Sequence, residues 1–116
     1  MGALTDGFDA ARKEHDERVA ERRRKEELVD ERLAALARLL DEDAAFMAKH
    51  DVGHETAARI LHVKHHRSPI MAVHFDPAES QYRMTYMRDN TSATAATAED
   101  CAKAVGALLF SLLTRE

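Results

Sequence analysis

From Asp9 to Arg32 the chain runs 24 residues without a proline or glycine, and 17 of them are charged, nine acidic and eight basic. Ala, Glu, Arg and Lys dominate this stretch, and all four are good helix formers. Asp9 with Lys13, Glu14 with Arg18 and Glu21 with Lys25 stand four apart with the acid first. In that order each pair stabilises a helix by about 0.2–0.5 kcal/mol. From Leu28 the same helix gains an apolar stripe. Val29, Leu33, Leu36 and Leu40 recur at steps of 4, 3 and 4, Met47 keeps the phase, and Leu28, Leu39 and Phe46 widen it. Asp51-Val-Gly53 then supplies a stop, because Gly53 is free to take a left-handed cap conformation. The pattern predicts a charged helical arm over 1–27 running into a core helix over 28–49.

Length gives this helix its consequence. Continuous from Asp9 to Lys49, it would span about 60 Å at 1.5 Å per residue. The rest of a 116-residue chain makes one domain, with a radius of gyration of only about 11–12 Å. The charged half cannot pack along such a domain. It must project into solvent, pair with another chain, or fray.

The middle of the chain reads as β-structure. Ile60–His66 alternates Leu61, Val63 and His65 against Ile60, His62, Lys64 and His66. Strands are expected over about 60–66, 70–75 and 81–88. Asp76-Pro77 opens a turn between the second and third, since proline suits the second position of a type I turn. Residues 54–59 read as a helical turn, and 89–97 as a polar loop. Thr97 can cap a last helix over 98–113, with Asp100 at its third position. Cys101, Val105, Leu108, Leu109 and Leu112 form its stripe, while Phe110 and Leu113 lie off it, so this helix is apolar nearly all round. The fold class is α+β: a long N-terminal helix and a C-terminal helix on one face of a small antiparallel meander of two or three strands, forming a single domain over 28–116.

The strand phases divide the sheet into two faces. Leu61, Val63, Met71, Val73, Phe75, Tyr82, Met84 and Tyr86 should pack on the helices. His62, Lys64, His66, His74 and Arg83 should look outward, with Ile70, Thr85 and Met87 among them. A cationic or titrating outer face would suit phosphate, nucleic acid or an acidic partner. An ordinary solvated sheet face alternates in the same way. Six of the seven histidines fall between His50 and His74. His62, His66 and His74 are weak candidates for a three-nitrogen metal site. His50 and His54 are four apart, but Gly53 interrupts any helix between them and no carboxylate completes a metal motif.

Other classes find less support. The formal net charge is −4, with 17 Lys+Arg against 21 Asp+Glu, which argues against a globally basic nucleic-acid binder. Arg22-Arg-Arg-Lys25 is neutralised locally by Glu21, Glu26 and Glu27, the pattern of a solvated helix face. The single cysteine, Cys101, lies on an apolar stripe where a thiol is inert. No phosphate loop or nucleophile elbow is present. The first residues turn charged at once, unlike a signal peptide, and no apolar run reaches the ~20 residues of a membrane span. A cytoplasmic protein with no enzymatic activity and no cofactor is the expectation. Helix, meander and C-terminal helix is also the element order of the double-stranded-RNA-binding domain. That family's last helix opens on a lysine cluster, whereas Thr97-Ala-Glu-Asp-Cys-Ala-Lys103 is acidic here, so the likeness is one of layout alone.

The sequence therefore favours an interaction module, an adaptor, regulator or inhibitor, that binds another protein. It would self-associate, as a homodimer, through Val29, Leu33, Leu36, Leu40 and Met47 on one helix and Leu108, Leu109, Phe110, Leu112 and Leu113 on the other. A parallel coiled coil along the whole first helix would bring His15, Arg22 and Arg32 to or near its seam, where apolar residues are wanted. Nucleic-acid or anion binding by the outer sheet face is the alternative, and a histidine metal site the third reading.

Overall fold

The computed structural model describes residues 2–114. Helix α1 covers Ala3–Glu42 and a short α2 covers Ala44–Lys49. Five strands follow: β1 (Val52–Ala57), β2 (Ile60–His65), β3 (Ser68–Asp76), β4 (Gln81–Tyr86) and β5 (Ser92–Ala95). Helix α3 (Ala98–Leu113) closes the chain. The strands form one antiparallel meander in the order β1-β2-β3-β4-β5. Both long helices pack on the same face of it, the α+β arrangement that the sequence predicts. None of the described helices is long and apolar enough to cross a membrane.

The stripe starting at Val29 does what its spacing implies. Leu33, Leu36 and Leu40 of α1 are buried against Leu61, Val63, Met71, Val73, Phe75, Tyr82 and Met84 of the sheet and Cys101, Val105 and Leu109 of α3. Tyr82 donates its hydroxyl to the Arg32 carbonyl at 2.7 Å, tying β4 to α1. Burial raises the pKa of that phenol. Thr97 caps α3 by accepting from the Asp100 amide at 3.1 Å, and Glu99 and Asp100 in the first turn favour the helix dipole.

Several sequence expectations are corrected. The helix over 28–49 breaks at Asp43, whose amide turns back to the Leu40 carbonyl at 3.1 Å. Asp41 and Glu42 oppose the dipole at the C-terminus of α1, and no basic residue offsets them in the last turn. Residues 54–59 are strand β1 and its turn, not a helical turn. Gly53 is a strand residue, and Asp51, at φ 54°, makes the left-handed step expected of it. Residues 92–95 form β5 within the expected polar loop. The sheet thus has five strands rather than two or three, which also removes the three-stranded layout of the RNA-binding likeness.

The turns on either side of β2 have a geometry that their sequences do not announce. Ala58-Arg59 joins β1 to β2, and His66-Arg67 joins β2 to β3, with all four residues at φ between 51° and 67°. Positive φ at both central residues is type I′ geometry, for which Asn-Gly or Asp-Gly is the usual sequence. Here tertiary pairing holds non-glycine residues in that conformation. Arg59 also reaches α1, with ion pairs to Glu26 at 3.4 Å and Asp30 at 3.2 Å.

Most of α1 lies beyond this core. Every described residue up to Arg18 is exposed, and the molecule measures 75 × 27 × 24 Å. Its radius of gyration is 19.6 Å, against about 13 Å for a compact chain of this length.

Candidate interaction surfaces

Strand register fixes the outer face of the sheet. His62 lies between Glu55 of β1 and Ala72 of β3, and His74 stands opposite Arg83. His62, Lys64, His74 and Arg83 thus share the face their alternation predicted. His66 does not. It sits in the β2–β3 turn, where its Nδ1 donates to Asp51 Oδ2 at 3.0 Å. The unanticipated β1 changes the electrostatics, because it places Glu55 beside Lys64, with Nζ donating to Oε2 at 2.6 Å. That hydrogen bond and the Lys64 charge hold the Glu55 carboxyl below its ordinary range. Arg83 similarly has Asp76 at 3.6 Å. A shallow depression of about 390 Å³ lies between His74, Asp76, Pro77 and Arg83. Its cation and its carboxylate partly offset each other.

The histidines do not converge. His62 and His74 occupy strands, His66 a turn, and no group of three or more His, Cys, Asp or Glu side chains among the described residues is placed to hold a metal ion. His50 closes α2, while His54 lies in β1 and donates through Nε2 to Asp41 Oδ1 at 2.7 Å. Cys101 is fully buried, and burial pushes its thiol up to about 12. A thiol held protonated in this way is a packing group, not a nucleophile.

The expected self-interface is largely internal. Leu33, Leu36, Leu40, Met47 and Leu109 are buried within the chain, and Val29, Leu108 and Leu112 are half-buried around them. Their spacing marked a core, and the sheet and α3 supply enough surface to close it without a second chain. What remains outward on α3 is the strip Gly106, Ala107, Phe110 and Leu113, with Phe110 70% exposed. A shallow groove on one flank is lined by Phe46, Leu40, Met47 and Gly106. On the other flank a groove of about 260 Å³ is lined by Ile70, Met87, Leu108 and Leu112.

Two exposed groups were missed in the sequence. Phe46, expected to widen the stripe, is 47% exposed, while Met47 beside it is buried. Leu4 and Phe8, 87% and 66% exposed, precede the charged run. Their i,i+4 spacing inside a helix-forming stretch was a legible signal. Both lie on the helix face that continues into Val19, Val29 and Leu33, within an arc of about 80° at 100° per residue. No family model, curated protein or solved structure matches the chain.

Proposed function

We propose that this chain is a non-enzymatic protein-interaction module, an adaptor, regulator or inhibitor, that self-associates and offers the outer strip of α3 to another protein. The observation that carries the reading is the bare arm. Residues 3–27 continue a helix about 37 Å past the closed core, carrying Leu4 and Phe8 into solvent. Helices in proteins draw most of their stability from packing an apolar face, and every described residue of this one up to Arg18 is exposed. The strip around Phe110 is a second apolar surface, continuous with grooves on both flanks, and such patches mark contact sites. The outer sheet face supports the anion-binding alternative less well, since Lys64 and Arg83 each face a carboxylate.

Absolute molar mass by light scattering over a hundredfold concentration range tests the self-association. The expected result is a mass that rises toward twice that of the chain. A constant monomer mass would overturn it. For the α3 strip, a protein captured by the wild-type chain should be lost with the Phe110→Ser, Leu113→Ser variant, whose core is untouched. Equal capture by both would remove the strip from the reading.

A further inference from the structure

We propose that the occupant of the bare α1 arm is the arm of a second copy of this chain, packed antiparallel about a two-fold axis near Asp16. The proposal rests on the self-association reading and names the surface that performs it. Charge along the arm is segregated: residues 6–17 carry five acids against Arg12 and Lys13, and residues 18–25 carry five bases against Glu21. Antiparallel pairing lays the acidic segment of each arm along the basic segment of the other, whereas parallel in-register pairing lays like on like. Electrostatic complementarity of this kind selects orientation.

Geometry fixes the register. Two bare helices of equal length overlap fully when each tip stops where the partner's core begins. That sets residue i beside residue 32 − i of the other copy. Leu4 then comes within one residue of the partner's Val29, which shares its helix face and is half-buried at the edge of the core. Asp9 faces the partner's Arg23, and Glu14 faces the partner's Arg18, each pair on its own flank of the seam and each occurring twice by symmetry. His15 and Val19 meet near the centre. Of the polar residues at or near a seam along the whole helix, Arg32 falls outside this shorter one, while His15 and Arg22 remain within it.

Single cysteines introduced into the full-length chain test orientation, with buried Cys101 giving no background. In the antiparallel pair, Asp16→Cys places two thiols beside the axis, while Asp9→Cys leaves its two about 20 Å apart along the helices. A short bis-maleimide should therefore link Asp16→Cys chains into dimers and leave Asp9→Cys chains unlinked. Equal linking of both would show a parallel pair and overturn the proposal. Neither linking in a sample that is dimeric by mass would also overturn it, leaving self-association to the α3 strip. A monomer at every concentration would overturn this proposal and the self-association reading together. In a second measurement, Arg23→Glu should weaken the dimer about tenfold, with the Asp9→Arg, Arg23→Glu double variant restoring it. The core melting temperature should not change in either variant. No weakening by Arg23→Glu would again overturn the register.

Discussion

At the scale of single residues, the positive-φ positions carry local strain that no sequence motif announces. Ala58 at φ 51° is a left-handed alanine in a two-residue turn, a conformation costing roughly 1–2 kcal/mol for a residue with an ordinary Cβ. Asparagine tolerates it better. Ala58→Asn should therefore stabilise the chain by about 0.5–1 kcal/mol, raising the melting temperature by a few degrees in a thermal scan. Tyr82 gives the opposite case. Its hydroxyl is a part-buried donor to the Arg32 carbonyl, so Tyr82→Phe should cost about 1 kcal/mol in chemical denaturation with little change in slope. Arg59 shows how far a turn residue acts beyond its turn, since it fastens α1 through Glu26 and Asp30 just where the helix leaves the core.

At the scale of elements, β1 does most to alter the function argued from the sequence. Without it, Lys64 is an unopposed cation on an outward face; with it, Glu55 lies 2.6 Å away. The pKa of Glu55 is lowered in the folded state, so the native chain releases that proton more readily than the unfolded one. This interaction supports the fold above the ordinary carboxylate range and is lost as pH falls through the lowered value. Asp89, lowered by hydrogen bonds from Thr91, works in the same direction. Glu55→Gln should make stability less dependent on pH on the acid side and leave the neutral-to-alkaline side flat, as read from melting temperature against pH. The strands that escaped the sequence reading share a cause. β1 and β5 are edge strands whose inward positions are mostly small or polar, with Thr56, Ala93 and Ala95 among them. Their period-2 signal is present but has too little apolar contrast to be seen. β2, β3 and β4 place large apolar residues at every inward position up to the bulge at Val63/Lys64, and those were legible.

At the scale of the whole molecule, one end is a closed core and the other a bare helix. The maximum dimension of the monomer is 75 Å. Arm pairing with an overlap of about 40 Å gives a two-headed particle of about 110 Å, with an α3 strip at each end. Small-angle scattering across the dimerisation range should show the maximum dimension growing to that length as mass doubles. A dimer joined through α3 strips would instead hold its two arms apart. The chain by itself determined the α+β class, the long helix, the inward face of the three central strands and the cap of α3. Each follows from local spacing of apolar residues or from one residue's hydrogen bond to its own backbone. Tertiary structure decided which apolar residues remain outside, because burial depends on what lies across from a side chain. The same stripe that spacing offered to a partner closed on β2–β4 and α3 instead, and Leu4, Phe8 and Phe110 were left in solvent. It also decided the charge of the outer face, since Glu55 and Lys64 meet only when two strands pair in one register.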